Sequence, residues 1–251
     1  MSYDNSSYFT KENLDAILRE LGKQYRKLNG KKTHAEIILI GGAAVLANYG
    51  FRDMTTDVDA VIQASSSMRD AISYVGDEYN LPVGWLNSDF MYTASYSPRL
   101  SEFSEYYRTF SNILEIRTMR AEYLIAMKLM SGRKYKNDLS DVLGILAEHE
   151  SKESPISLVQ IQQAVMNLYG SWDKIPSESV MFIEEVFQKG NYKQLHDELI
   201  TSEASTKNDL LYFEKDYPKV LNSDNIESII QALKNKDYKK KSCKNKDELE
   251  L

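Results

Sequence analysis

The feature that most constrains the fold is a pair of apolar runs that flank two glycines and a short alanine-rich stretch. The first run, residues 36–40, leads directly into Gly41 and Gly42, and the second covers residues 58–62. Runs of this length are typical of buried strands, and residues 43–49 between them suit a short, closely packed helix. The pattern predicts a strand, a glycine turn, a helix and a second strand, and therefore a sheet covered by helices.

Two aspartates stand at alternate positions where the second apolar run begins. Asp57 and Asp59 would project to the same face of a strand, beside the turn formed by Gly41 and Gly42. Neighbouring carboxylates repel each other unless a cation lies between them, and Mg²⁺ or Mn²⁺ prefers such oxygen ligands. A glycine turn that opens a helix offers backbone N–H groups to a phosphate. The combination predicts a nucleoside triphosphate site, whereas the simpler interpretation is that the glycines only allow close packing and Asp57 caps a strand.

Hydrophobic periodicity extends the prediction to the whole chain. It predicts an α+β fold with an α/β core, in which a small mixed β-sheet flanked by helices precedes an all-helical C-terminal region. We expect a first domain over residues 1–150, a helical domain over residues 151–235 and a lysine-rich flexible tail over residues 236–251. Thr10 and Gly30 are the expected boundaries of the first helix. The other predicted elements are helices over residues 65–79, 120–132, 137–149, 156–169, 176–188, 192–200, 206–213 and 226–233, a hairpin of strands 107–110 and 113–117, and an irregular stretch over residues 81–87.

Composition narrows the functional class. The net charge of −6 argues against a protein that coats nucleic acid in general. Cys243 is the single cysteine and cannot form an internal disulfide. No apolar run has the length needed to cross a bilayer, and the first residues lack the basic and apolar regions of a signal peptide. We expect a cytoplasmic protein without membrane contacts.

The spacing of these features resembles a known superfamily. Fourteen residues separate Gly42 from Asp57, and the segment resembles the signature of the DNA polymerase β superfamily of nucleotidyltransferases. Further residues, Trp85-Leu86-Asn87 and the run over 122–129, are similar to a bacterial branch of nucleotidyltransferase-like proteins, which itself is similar to the abortive-infection toxins of type IV toxin–antitoxin systems. The resemblance covers roughly residues 36–146 and implies the sheet of a minimal nucleotidyltransferase.

The resemblance implies roles for three acids. Asp57 and Asp59 would be catalytic metal ligands for Mg²⁺ or Mn²⁺, and Glu115 would be the third acid, which ligates metal and polarises or deprotonates the attacking hydroxyl. The alternative interpretation is that Glu115 is a surface strand residue that pairs with Arg117 or Arg108.

The resemblance also implies that Gly41, Gly42 and Ala43 hold phosphate through their backbone N–H groups. The superfamily often has a serine or threonine after the glycines, whose hydroxyl binds a terminal phosphate. Ala43 has no hydroxyl, so we expect a weaker hold on the triphosphate.

Two cations are further candidates for nucleotide binding. Arg52 lies close to the aspartates in sequence and either screens their repulsion or binds phosphate. Lys128 falls on or beside the buried stripe of a predicted helix, so it needs an anionic partner. That partner is either the triphosphate or one of Asp138 and Asp141 on the next helix.

These observations predict a metal-dependent enzyme that transfers a nucleoside monophosphate from an NTP to a hydroxyl acceptor. The sequence leaves open whether the acceptor is tRNA, a protein or a small molecule. A toxin–antitoxin setting would add a cognate antitoxin as a partner. The alternative is a catalytically inactive module on the same scaffold that binds nucleotide, RNA or a partner protein.

Overall fold

The computed structural model describes residues 8–132, 137–222, 225–226 and 228–233. Within these ranges, five strands form one mixed sheet in the order β3-β2-β1-β5-β4. The strands are β1 (Ala35–Leu39), β2 (Val58–Gln63), β3 (Leu86–Asn87), β4 (Ser104–Phe110) and β5 (Leu114–Met119).

Strand β1 is at the centre of the sheet because nearly all its side chains are apolar and can be buried on both faces. It runs antiparallel to β2, with Leu39 opposite Ala60, and parallel to β5, with Leu39 opposite Thr118. Strand β3 extends the sheet as a parallel neighbour of β2. The two strands predicted around the glycines are therefore confirmed as neighbours.

The predicted hairpin is formed by β4 and β5, which pair antiparallel. Ser111, Asn112 and Ile113 connect them, and the backbone N–H of Ile113 donates to the carbonyl oxygen of Phe110 at 3.2 Å. The two central residues of this turn, Ser111 and Asn112, both have φ of 54°. A turn with both central residues in the left-handed region matches the twist of the flanking strands, and asparagine tolerates that conformation better than most residues.

Eight α-helices between residues 11 and 216 surround and extend the sheet in the described part of the chain. The first begins at its predicted cap, where Thr10 and Asn13 form reciprocal side-chain to backbone hydrogen bonds, and it ends at Gly30. The helices are α1 (Lys11–Asn29), α2 (Gly41–Asn48), α3 (Met68–Glu78), α4 (Ala121–Ser131), α5 (Asp138–Ser151), α6 (Leu158–Tyr169), α7 (Ser177–Lys189) and α8 (Tyr192–Asp216).

Three elements differ from the prediction. Gly41 and Gly42 form the first turn of α2 rather than a turn before it. Leu86–Asn87, predicted as irregular, is a short edge strand. Helix α8 is continuous where two helices were predicted, because residues 201–205 include neither glycine nor proline to break the helix. The predicted tail over residues 236–251 lies outside the described residues, and the described residues of the predicted 226–233 helix are helical.

The core joins the sheet to the C-terminal helices. Helix α4 is apolar on nearly every side and is almost fully buried. It packs against α5, α6 and α7, and α5 packs against α8. Buried side chains of α6 and α7 belong to the same hydrophobic cluster as those of β1 and α4. No described helix combines the length and the apolar character needed to cross a membrane.

Candidate active site

A cavity of about 380 Å³ opens where β1 ends and α2 begins. Asp57 and Asp59, at the entrance to β2, line one side of it together with Gly41. Lys128 of α4 and Asp138 of α5 line another side. The two predicted aspartates are thus placed in one cavity, at the end of the sheet where the glycines lie.

Gly41 brings the backbone and a carboxylate together. Its φ of 57° is in the left-handed region, which glycine adopts without the steric cost that a Cβ would add. A Cβ built on Gly41 would lie 3.5 Å from Oδ2 of Asp59. The backbone N–H of Ile40 donates to the carbonyl oxygen of Asp59 at 2.9 Å, which fixes the two strands at this level. The start of α2 and the Asp59 carboxylate are therefore immediate neighbours.

The start of α2 has the properties of an anion site. Ile40 is its N-cap, and the apolar side chain of Ile40 makes no capping hydrogen bond to the first turn of the helix. Backbone N–H groups at a helix start, together with the helix dipole, favour negative charge. Ala43 is completely buried, so its side chain belongs to the core rather than to the cavity.

Gly42 has a packing role. A Cβ built on it would meet Oγ1 of Thr55 at 2.5 Å and Nη2 of Arg52 at 2.8 Å. Thr55 is buried, and its hydroxyl donates to the carbonyl oxygen of Asp57 at 3.3 Å. Glycine at this position therefore allows close packing, and the phosphate-binding role of its backbone N–H stays a prediction.

A buried charge network forms the wall beside the cavity. Nζ of Lys128 contacts Asp138 at 2.8 Å and Asp141 at 2.6 Å, and its side chain is 8% exposed. Burial opposes the charged form of Lys128, but the carboxylates of Asp141 and Asp138 outweigh that effect and raise its pKa above the ordinary value. Arg52 donates to both carboxylate oxygens of Asp141 at 2.7 and 2.5 Å. The inter-helix ion pair considered for Lys128 is confirmed, and Arg52 joins the same network instead of contacting Asp57 or Asp59.

Glu115 lies at the other end of the sheet. In the parallel register of β1 and β5, it stands opposite Glu36, near the start of β1, whereas the cavity lies beyond the end of that strand. Nη1 of Arg117 binds Glu115 at 2.9 Å, and Nε of Arg117 lies 3.8 Å from Glu36. The prediction that Glu115 shares a site with the two aspartates is therefore wrong, and the pairing with Arg117 is the arrangement observed.

Asp89 is a further acid of the cavity, and it was not predicted from the sequence. Strand β3 places Asn87 opposite Asp59 in parallel register. Oδ1 of Asn87 accepts from the backbone N–H of Asp89 at 2.8 Å, and Asp89 lines the cavity with Asp57 and Asp59. The sequence feature that could have indicated Asp89 is the polar segment Asn87-Ser88-Asp89, which directly follows the apolar pair Trp85-Leu86.

The carboxylates of the cavity suit a cation that also binds the substrate better than a cation that is held by protein ligands alone. In residues 8–132, 137–222, 225–226 and 228–233, no three histidine, cysteine, aspartate or glutamate groups are placed to hold a metal ion together. Mg²⁺ is commonly held by one or two carboxylates and completes its shell with phosphate oxygens and water. Asp57 and Asp59 therefore fit Mg²⁺ as a pair, with the substrate supplying the remaining ligands.

A comparison with known families identifies the class of protein. Residues 16–150 match a family model described as nucleotidyltransferase of unknown function (DUF6036). The chain belongs to this family. The match to DUF6036 includes every strand of the described sheet and the acids of the cavity, and it ends within α5, before α6, α7 and α8 begin.

Family membership supports nucleotidyl transfer as the general class of reaction. Neither a curated protein nor a solved structure matches the chain.

Proposed function

We propose that the protein is a metal-dependent nucleotidyltransferase that moves a nucleoside monophosphate from an NTP to a hydroxyl acceptor and releases pyrophosphate. The observation that carries this proposal is the placement of Asp57 and Asp59 in one cavity, next to a helix start whose N-cap residue, Ile40, makes no side-chain capping hydrogen bond. Membership of a nucleotidyltransferase family supports the same class of reaction.

In this proposal, Asp57 and Asp59 hold Mg²⁺ or Mn²⁺ at the phosphate end of the cavity. The bound ion would supply positive charge to neutralise the triphosphate and the leaving pyrophosphate. Backbone N–H groups at the start of α2 donate to phosphate oxygens and orient the chain of phosphates. Catalysis of this kind depends mainly on positioning and charge neutralisation.

The rest of the cavity suits a nucleoside. Phe90 and three side chains of α4, Leu124, Met127 and Met130, form an apolar part of its wall. Pockets for small ligands combine mostly apolar walls with a few placed polar groups. We assign this apolar part of the wall to the base and sugar of the NTP.

Asp89 takes the role first given to Glu115. The hydroxyl of the acceptor loses its proton to the Asp89 carboxylate as its oxygen bonds to the α-phosphorus, and the bond from that phosphorus to the pyrophosphate oxygen breaks. Asp89 is exposed at the cavity, which suits a group that meets an incoming acceptor. Lys128 lowers the negative potential of the opposite wall while it stays bonded to Asp138 and Asp141.

The acceptor, tRNA, a protein or a small molecule, belongs to the proposal as an open choice, because a fold does not select a substrate. A cytoplasmic toxin–antitoxin system with a cognate antitoxin is the proposed setting. An inactive module that binds nucleotide, RNA or a partner protein is the second candidate. It is favoured by Ala43, which offers no hydroxyl to a terminal phosphate after the two glycines.

The decisive experiment incubates the protein with each α-labelled NTP, Mg²⁺ and separate acceptor pools of total RNA, protein and small molecules. We expect label transfer with matching pyrophosphate release, and a loss of about 1000-fold or more in Asp57→Asn and in Asp59→Asn. Asp70→Asn, on the exposed first turn of α3, is the matched control and should keep full activity.

Retained transfer in either cavity variant would overturn the assignment of that aspartate. Calorimetry with a non-hydrolysable NTP and Mg²⁺ separates the two candidate functions. Binding without any turnover in the wild-type protein would favour the module.

A further inference from the structure

One wall of the cavity is a loop without regular structure. This loop, residues 93–99, follows the 3-10 helix Asp89–Tyr92 and precedes the 3-10 helix Leu100–Phe103. Its residues Thr93, Ala94 and Ser95 line the cavity next to Phe90 in the sequence. A segment of this kind needs support from elsewhere to keep one conformation.

The last turn of α6 supplies that support. The hydroxyl of Tyr169 donates to the carbonyl oxygen of Ser95 at 2.9 Å. Tyr169 is 8% exposed, and burial raises the pKa of its hydroxyl well above its usual range. The hydroxyl is therefore a permanent donor at any working pH, and it reaches a residue that lines the cavity.

Two further hydrogen bonds run from the loop to the same turn. The hydroxyl of Ser97 donates to the carbonyl oxygen of Leu168 at 2.8 Å, and Nη1 of Arg99 donates to that of Asn167 at 2.7 Å. The last carbonyls of a helix have no partner inside the helix, so they must find donors elsewhere. The loop satisfies two of them, and Ser97 is buried while it does so.

The last turn of α6 also contacts α4, which forms another wall of the cavity. Nδ2 of Asn167 donates to the hydroxyl of Tyr123 on α4 at 2.7 Å. Leu124 and Met127 of α4 line the cavity. The end of α6 therefore forms hydrogen bonds with both the 93–99 loop and α4. Residues of this loop and of α4 both line the cavity.

We propose that Tyr169 is a positioning residue that holds Ser95, and with it the 93–99 loop, at the spacing that the nucleoside of the substrate requires. This inference rests on the proposed function. It extends the site to a helix that lies beyond the family match over residues 16–150.

The expected kinetic effect follows from where the loop lies. Ser95 lines the cavity together with Phe90 and Leu124, to which the nucleoside is assigned, so the loop contacts the nucleoside in the ground state and in the transition state alike. Loss of such uniform binding raises KM and leaves kcat nearly unchanged. For Tyr169→Phe, which removes one hydrogen bond and leaves the ring, we expect KM for the NTP to rise about five-fold.

The matched control is Tyr25→Phe. Tyr25 is a fully buried tyrosine on α1, and its hydroxyl bonds to Ser65 at 3.0 Å, outside the residues that line the cavity. It should lose stability to a similar extent and keep the wild-type KM. Ser97→Ala removes a second bond of the same turn and should raise KM in the same direction as Tyr169→Phe.

Hydrogen exchange of the 93–99 amides, measured without nucleotide, tests the loop independently of activity. We expect faster exchange in Tyr169→Phe than in Tyr25→Phe. Equal loop exchange in these two variants overturns the proposal, whether or not the wild-type protein transfers nucleotide. Faster exchange with an unchanged KM also overturns it, because the loop then does not hold the substrate.

If the wild-type protein shows no transfer, the proposed reaction fails, and calorimetry with a non-hydrolysable NTP and Mg²⁺ replaces KM. A weaker Kd in Tyr169→Phe than in Tyr25→Phe then supports the positioning role, and equal Kd values, or no binding to any of the proteins, overturn it.

Discussion

The two ends of the central strand both have acidic side chains, and they differ in what surrounds them. Near the start of β1, Glu36 and Glu115 lie side by side on neighbouring strands and share Arg117 as an ion-pair partner. Beyond the end of β1, Asp57 and Asp59 line a cavity that also includes the first residue of α2.

This difference teaches that a pair of neighbouring acids on a sheet is not sufficient for a site. An acid pair needs a concave space and a neighbouring group that binds the rest of the ligand. The helix start and the glycine with left-handed φ supply these at one end. At the other end, an arginine neutralises the glutamates.

The largest expected effect contrasts the cations that neutralise the acids at the two ends. Lys128→Met leaves Asp138 and Asp141 buried without the ammonium, and we expect the free energy of unfolding to fall by about 3–5 kcal/mol. Arg117→Met should cost about 1 kcal/mol or less, because its ion pairs with Glu115 and Glu36 are partly exposed. Denaturant unfolding of both variants measures the contrast, and equal losses would contradict it.

The same ion pair predicts a pH dependence at alkaline pH. The pKa of Lys128 is raised in the folded state, mainly by Asp141 and Asp138 acting against burial. A raised pKa stabilises the folded protein fully below the unfolded-state pKa, and the gain is lost as the pH rises through the folded-state pKa. Unfolding free energies of the wild type and Lys128→Met, measured as the pH rises above about 10.4, should converge. A constant gap would contradict this.

The next effect concerns the acid that meets the acceptor. Asp89→Asn keeps the shape of the side chain and removes its capacity to accept a proton, so we expect kcat to fall about 100-fold. The transfer assay used for Asp57 and Asp59 measures this. Full activity of Asp89→Asn would leave the cavity without its assigned base.

A smaller effect tests how tightly the start of α2 is packed. In Gly42→Ala, the added methyl would overlap Thr55 and Arg52, and we expect a loss of about 1–3 kcal/mol in unfolding free energy. Gly50→Ala is the matched control, since a Cβ there would meet no atom within 4 Å. If both variants unfold at the same denaturant concentration, the close approach at Gly42 does not contribute to stability.

The smallest effect is expected at the opposite end of the sheet. Glu115→Gln removes a charge that Arg117 neutralises far from the cavity, so we expect kcat and KM to stay within about two-fold of the wild type. A large loss of kcat in this variant would restore Glu115 to the site and break the distinction between the two ends.

Local patterns predicted much of this fold. The boundaries of α1 at Thr10 and Gly30, the β4–β5 hairpin and the strands on both sides of Gly41 follow from caps, turn residues and apolar runs. These signals act between residues that are close in sequence, and for that reason they can be recognised without the structure.

The rest of the site depends on contacts between segments that are distant in sequence. Alternation shows which face of β5 bears Glu115, but the register that places it beside Glu36 arises only when β1 and β5 pair. Strand β3 has two residues, too few for a period to show, so Asp89 gave no comparable signal. The contacts between α6 and the 93–99 loop are of the same non-local kind.

The pairing of β1 with β5 has a consequence for the order of folding. Ala35 meets Leu114 in this pair, so a long stretch of chain must close before the centre of the sheet is complete, whereas β4 and β5 are joined by only three residues, 111–113. Closure of long loops is entropically costly and slows folding. We expect φ-values to be high in the β4–β5 hairpin and low in β1, which would make completion of the sheet centre a late event in refolding.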